Sequence, residues 1–286
     1  MDFVYDFTEI VTELLEKRKV KDVHLLSPSR RFSMLFDSES RQIPLHRYNV
    51  KISEELKSKS QWYPLRDTLG EIAERFRKGK TLQPYLSRLT EKIDRVDQLL
   101  QHWGINHLHI SPLSTQGPDG FVERSDHLLL FRINGNDVHL IDVLPHKTVD
   151  LFSQPELVRI MDRNWPSLCV PIRGAVGLTR TLNAENYKAL RKANGMAPIE
   201  TDRGVVMTPF AVNTAGTTHE SVRAWDGMIV RLRQLQDIVQ LNYKSIFNPG
   251  RAFVSSIHLL SVETDGFIIR DGATNKVKYI PNTNLI

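Results

Sequence analysis

The chain has 286 residues, 41% of them hydrophobic and 25% charged, and its formal net charge of +5 mildly favours an anionic partner such as nucleic acid. A single cysteine, Cys169, excludes an internal disulfide framework and a cysteine-based zinc site. No signal peptide and no bilayer-spanning apolar run are visible, so the sequence predicts a soluble cytoplasmic protein without membrane contact.

Residues 1–95 are predicted to form an accessory α+β region that is rich in helices. Apolar residues at helical spacing predict an amphipathic helix over 3–18. Short strands are expected over 23–26, 32–36 and 48–52. A second helix is expected over 65–78 with Gly79 as its stop, and shorter helical pieces over 82–102 that end at Gly104.

Residues 96–176 change in character and are predicted to form a separate module. A short strand is expected at 107–110, followed by a Ser/Gly/Pro loop over 114–119. Two further strands, 127–133 and 138–143, are joined by Asn134-Gly-Asn-Asp, which is a strong hairpin signal. A helix over 154–163 is expected to begin with a capping box formed by Ser153 and Glu156.

Residues 177–286 are predicted to hold one long helix, over 217–241, and a final β region. The strand-like runs of that region are 253–260, 266–269 and 277–280, separated by Asp-Gly turns. The predicted fold class is therefore α+β, with a small antiparallel sheet module between a helix-rich N-terminal part and an α+β C-terminal part. Both flanking parts are net basic and the module is net acidic, so phosphate attraction is expected from the flanks.

Histidine is concentrated in the predicted module. Six of the ten histidines lie between His102 and His146. Period-two geometry puts His107 and His109 on one face of a strand and Leu108 on the other. Imidazole acts as acid, base or metal ligand near neutral pH, so this face is a candidate site. The alternative is a half-exposed pair that makes ordinary hydrogen bonds.

Polar side chains also flank the predicted hairpin, before its first strand and at the end of its second. Arg124 and Asp126 precede its first strand, and a guanidinium near histidines is a common device for binding phosphate. Asp142 ends the second strand and His146 follows it. The alternative is that Arg124 is a rim residue, Asp142 caps a turn and His146 is a surface residue. We expect Arg124 and His146 to point into one concavity beside the histidine strand.

These residues admit two chemistries. In the metal-free one, one histidine removes a proton from a ribose 2′-hydroxyl and another protonates the leaving 5′-oxygen, while Arg124 stabilises the phosphate and Asp142 tunes the imidazoles. In the other, a divalent metal is held by His107, His109, Asp142 and His146. Because these ligands lack a tight recognised spacing, we favour metal-free cleavage without a cofactor. A non-catalytic interaction module remains the alternative from another class.

Two further features have simple interpretations. Arg75, Arg77, Lys78 and Lys80 form a basic cluster that is either a nucleic-acid-binding patch or a solvated helix C-terminus favoured by the helix dipole. Cys169 has no catalytic base pattern around it and is expected to be buried.

Residues 95–170 resemble the RelE-like ribonuclease toxins of the barnase/EndoU/colicin/RelE superfamily. The resembling features are a helix leading into His107-Leu-His109-Ile, an arginine before a Leu-Leu-Phe strand, and a strand ending in Ile141-Asp142 with His146 beyond. The resemblance implies metal-free RNA cleavage with His107, His109, Arg124 and His146 as catalytic residues. We therefore predict an endoribonuclease of toxin or phage-defence type, with RNA and a neutralising antitoxin or regulatory protein as partners.

Overall fold

The computed structural model describes residues 1–60, 65–247 and 256–284. The α-helices are α1 Phe3–Lys17, α2 Pro28–Glu39, α3 Glu54–Ser60, α4 Arg66–Lys78, α5 Gln98–Trp103, α6 Glu156–Asn164, α7 Ala184–Lys192 and α8 His219–Phe247. The strands are β1 Asn49–Ile52, β2 Asn106–His109, β3 His127–Asn134, β4 Asp137–Pro145, β5 Val170–Pro171, β6 Ile199–Thr201, β7 Gly204–Met207, β8 Ile257–Val262, β9 Gly266–Asp271 and β10 Val277–Pro281. This mixture confirms the α+β class. In the described ranges, no helix has both the length and the apolar character needed to cross a bilayer.

The chain divides into two compact units. The first combines Met1–Phe36 with Glu220–Ile286, and the second is Asp37–His219. The module predicted over 96–176 lies wholly within the second unit, which also contains 37–95 and 177–219.

The first unit is built on an antiparallel sheet of order β10-β9-β8. Its helix α1 is capped by Asp2, whose carboxylate accepts hydrogen bonds from the backbone amides of Val4 and Tyr5, satisfying two free donors of the first turn. Asp6 then accepts a 2.8 Å hydrogen bond from the backbone amide of Leu259, which ties α1 to β8.

The second unit is built on a four-stranded sheet of order β1-β4-β3-β2. Strands β2, β3 and β4 are antiparallel, as predicted, but β1 runs parallel to β4 and makes the sheet mixed. A pairing between strands more than eighty residues apart leaves no turn signal in the sequence, so the sequence did not predict it. A second, small sheet has the order β5-β7-β6.

Two hydrophobic clusters cover the two faces of the four-stranded sheet. On one face Ile72 and Phe76 of α4 pack with Leu108 of β2. On the other face Leu157 and Met161 of α6 pack with residues of β3 such as Leu128 and Leu130. His107 and His109 alternate with Leu108 along β2, so they lie on the α6 side of the sheet.

Several predicted elements are confirmed by the structure. The helix expected over 3–18 is α1, and the helix expected over 65–78 is α4, which ends at Gly79 in the left-handed conformation with φ of 64°. The hairpin is formed by β3 and β4, and β8, β9 and β10 match the final β region. Residues 253–255 of the predicted run 253–260 lie outside the described residues.

Two predicted strands are wrong. Residues 23–25 form a 3₁₀ turn, and residues 32–36 belong to the helix α2. The apolar residues Phe32, Leu35 and Phe36 fit the i, i+3, i+4 spacing of a helix, and Pro28 at the first helical position favours a helix start.

The predicted capping box is also wrong. The helix α6 begins at Glu156 after Pro155, and no side chain caps it, while Ser153 lies in a preceding 3₁₀ turn. The ring of Pro155 sets its φ near the helical value, and the residue has no amide donor that a cap would need to satisfy. The start of α6 therefore lies after Pro155 and not at Ser153. The short elements α3, α7 and β5 to β7 were not predicted.

Candidate functional site

A cavity of about 480 Å³ in the second unit is lined by four of the residues that the sequence singled out. Its charged and titratable lining residues are His107, His109, His146, Arg41, Arg95, Arg124 and Asp97. All four predicted catalytic residues therefore line one cavity. Three guanidinium groups against one carboxylate leave this lining positively charged, which favours an anionic ligand.

The strand β2 places the two histidines. His107 lies opposite Leu130 and His109 opposite Leu128 in the antiparallel pairing with β3. As predicted, the two histidines share one face of β2, and β2 lies beside the hairpin. Leu128 itself also lines the cavity, so the sheet supplies an apolar floor beneath the imidazoles.

The open end of the hairpin places Arg124 and His146. His127 pairs with Pro145 across β3 and β4, so the segments just outside the hairpin start side by side. The backbone amide of His146 donates a 2.6 Å hydrogen bond to the carbonyl of Asp126. The Asp126 side chain is exposed, so this residue supports the site through its backbone.

His109 is the most buried of the three cavity imidazoles, with 7% of its surface exposed. Its ring stacks on that of His146 at 6.1 Å between centroids and 15° between planes. Its Nδ1 atom has no hydrogen-bond partner in the described part of the chain. Burial lowers the pKa of His109 to about 4, and the nearby His107, His146 and Arg124 act in the same direction. The ring is therefore neutral at pH 7.

We expect the imidazole of His109 to stay neutral on acidification until about pH 4. Because its pKa is lower in the folded than in the unfolded chain, the stability it contributes is present above about pH 6.5 and is lost as the pH falls through the folded value. Nitrogen-15 NMR of the imidazoles, with His109→Gln for assignment, measures the titration. A midpoint near pH 6.5 would contradict the buried, unpartnered environment.

His107 is supported by an acidic residue that sequence reasoning missed. Asp97 is the N-cap of α5, and its Oδ1 accepts hydrogen bonds from the amides of Leu99 at 3.1 Å and Leu100 at 3.0 Å. Its Oδ2 lies 3.6 Å from Nδ1 of His107. The signal available was an Asp immediately before the run Gln98-Leu-Leu, the pattern of a helix start. The capping carboxylate thus also lies beside an imidazole, in the kind of pairing that can orient a histidine base, but Nδ1 of His107 makes no hydrogen bond within the described residues.

Arg41 is the second residue that sequence reasoning missed. Only 6% of its surface is exposed, and its Nη1 donates a 2.8 Å hydrogen bond to the carbonyl of Arg95. Its Nε and Nη2 have no partner among the described residues. Burial lowers the pKa of its guanidinium, while nearby carboxylates, Asp97 first, oppose this. No pattern around position 41 links it to the histidines, which follow more than sixty residues later.

Asp142 does not belong to the site, contrary to the sequence-based expectation. Both its carboxylate oxygens lie 2.8 Å from Nζ of Lys59 on α3, and Oδ1 accepts the amide of Val143. Burial raises the pKa of Asp142, with Lys59 acting against it. The residue is absent from the cavity lining, so it does not tune the imidazoles.

The metal-ligand set proposed from the sequence is not assembled. In residues 1–60, 65–247 and 256–284, no three His, Cys, Asp or Glu side chains are arranged to hold a metal ion. With Asp142 bound to Lys59, the set of His107, His109, Asp142 and His146 lacks its carboxylate.

The basic cluster and the cysteine lie outside the cavity lining. Arg75 pairs with Glu71, and both Arg77 and Lys78 pair with Glu74, one turn earlier on α4; Lys80 follows the helix. This arrangement fits the solvated helix C-terminus. Cys169 is buried as expected, and burial raises the pKa of its thiol to about 12, which makes it a poor nucleophile.

Comparisons of the chain with protein-family models, with curated proteins and with solved structures give no match. The geometry of the cavity is therefore the main source of information on the function of this protein.

Proposed function

We propose that this protein is a nucleic-acid-directed hydrolase, a metal-independent endoribonuclease of toxin or phage-defence type. The observation that carries the proposal is the convergence of three imidazoles and three guanidinium groups on one cavity. Acid–base groups beside fixed cations are what phosphodiester transfer needs, since a proton must move at each end while negative charge grows on the phosphate.

In the proposed reaction His107, whose Nδ1 lies 3.6 Å from the Asp97 carboxylate, takes the proton of a ribose 2′-hydroxyl. The 2′-oxygen then attacks the adjacent phosphorus, and the bond from phosphorus to the 5′-oxygen breaks. His146, exposed at the end of the hairpin, gives its proton to that leaving oxygen. The products are a 2′,3′-cyclic phosphate and a 5′-hydroxyl. No oxidant, reductant or metal enters this balance.

Arg124 and His109 have separate roles in this scheme. Arg124 is exposed and lines the cavity, so its guanidinium can meet the phosphate as charge accumulates. His109 is neutral and donates or accepts a hydrogen bond without changing the charge of the cavity. A cavity of about 480 Å³ is within the usual range for small-ligand sites and admits one nucleotide unit of a chain.

The biological setting is part of the same proposal. The net charge of +5 favours RNA as partner. The resemblance of residues 95–170 to RelE-like toxins points to a cytoplasmic enzyme held in check by a neutralising antitoxin or a regulatory protein.

The proposal is tested with purified protein and single-stranded RNA in the presence of EDTA. We expect cleavage products ending in a 2′,3′-cyclic phosphate, and no cleavage when the RNA is replaced by its all-deoxy counterpart, which lacks the nucleophile. His146→Ala is expected to lower the rate by about 10²-fold or more. The matched control is His46→Ala, which removes an exposed imidazole that contacts Tyr48 outside the cavity.

The other outcomes separate the remaining functions. Activity that is lost in EDTA and restored by Mn²⁺ or Zn²⁺ would replace the metal-free mechanism with a metal-dependent one. RNA binding without cleavage under any of these conditions would support a non-catalytic interaction module and overturn the proposed enzymatic activity.

A further inference from the structure

Arg41 is a buried cation with two unused donors in the wall of the cavity. Nη1 is fixed on the carbonyl of Arg95, whereas Nε and Nη2 are shielded from water and bonded to nothing in the described residues. Leaving a buried donor unbonded is costly, so native proteins rarely keep one without a purpose. Two such donors on one guanidinium therefore need an explanation.

The two free nitrogens share one edge of the guanidinium. Nε–H and the nearer N–H of Nη2 point the same way, in the parallel fork that donates to two oxygens of a phosphate or a carboxylate. The described residues offer no ion-pair partner within 4.0 Å of this fork. Asp97, the carboxylate with the largest effect on the pKa of Arg41, has one oxygen on the α5 amides and the other beside His107.

His109 repeats the same condition on the sheet side of the cavity. Its buried Nδ1 also has no hydrogen-bond partner among the residues that the structure describes, and its ring is neutral at pH 7. A neutral imidazole carries one N–H donor, so it can donate one hydrogen bond to an anion.

We propose that the free edge of Arg41 and the imidazole of His109 form a phosphate-binding subsite of this cavity. The proposal rests on the proposed function, because it assigns a phosphate group of the substrate to these two residues. The group is either an internal phosphodiester of the chain or a terminal phosphate monoester. The chemistry of recognition, two oxygens on one guanidinium edge, is the same for both.

The first test is a phosphate titration of the wild-type protein, followed through the arginine Nε–H signals in nitrogen-15 NMR. We expect the Arg41 signal to move saturably with inorganic phosphate, because its free N–H gains an acceptor. An Arg41 signal that does not move with phosphate or with either nucleotide below would overturn the proposal. This measurement needs no variant to fold.

The second test compares Arg41→Lys with Arg47→Lys. Lysine keeps the charge but lacks the fork, so we expect phosphate to bind about tenfold to a hundredfold more weakly to Arg41→Lys. Arg47 is exposed and outside the cavity, so its variant should bind as the wild type does. Equal binding by both variants would overturn the proposal.

The source of the phosphate is distinguished with two further ligands. A nucleoside 3′-monophosphate reports a terminal monoester, and a 2′-deoxy dinucleoside phosphate reports a diester that the proposed enzyme cannot cleave. Whichever shifts the Arg41 signal at the lower concentration identifies the source. Binding without RNA cleavage would keep the subsite and overturn the proposed function, whereas cleavage without an Arg41 shift would overturn the subsite alone.

Discussion

His107→Asn is expected to lower the rate of RNA cleavage by about 10²- to 10⁴-fold, the range that a general base contributes. Asparagine keeps a polar group on β2 but cannot take up a proton at neutral pH. The cleavage rate under single-turnover conditions measures the loss. The matched control is His46→Asn, outside the cavity, which should cleave at the wild-type rate. Wild-type activity in His107→Asn would show that another group is the base.

Asp97→Asn extends this test to the residue that positions the base. Asparagine is as good an N-cap as aspartate, so the start of α5 and the stability of the fold should change little. The amide nitrogen, placed toward Nδ1 of His107, would favour the tautomer with its proton on Nε2, the wrong form for a base that acts through Nε2. We expect about a 10²-fold loss of rate with an altered pH profile, which a purely structural cap would not produce.

The sequence predicted those parts of the site that follow from local geometry. His107 and His109 share a face because strands alternate with period two, and Arg124 and His146 meet because a hairpin brings its ends together. Neither inference needs any long-range contact. The second inference depended on the Asn134-Gly-Asn-Asp turn, whose preference for a tight hairpin is local.

The missing parts of the site depend on contacts between distant segments. Arg41 reaches the cavity from a stretch more than sixty residues before the histidines, and Lys59 reaches Asp142 across eighty-three positions. Neither contact can be predicted from the residues that neighbour it in the sequence. The parallel pairing of β1 with β4 has the same origin, since it brings α3 and Lys59 beside Asp142. The side-chain partner of a strand-ending carboxylate is thus fixed by the topology of the sheet.

Lys59→Ala is expected to lower the free energy of unfolding by about 1–3 kcal/mol at pH 7. The substitution leaves the Asp142 carboxylate, whose side chain is 5% exposed, without its cation. Breaking a fully buried pair costs more, but the Lys59 side chain is 44% exposed and water screens part of the attraction. Lys57→Ala on the same helix, which breaks the exposed pair with Glu54, is the control and should cost about 0–1 kcal/mol. Urea denaturation measures both.

The pH dependence separates loss of this ion pair from loss of packing. Burial raises the pKa of Asp142 in the folded chain, so its protonated form is favoured there, and the stability gained is lost as the pH rises through the folded value. Removing Lys59 raises this pKa further, so the variant should approach wild-type stability as the pH is lowered towards about 4. Adding Asp142→Asn should remove most of the penalty at pH 7, because a neutral amide can still accept the Val143 amide hydrogen. A deficit that persists unchanged in acid and in the double variant would mean that the aliphatic stem of Lys59, and not its charge, stabilises this end of the sheet.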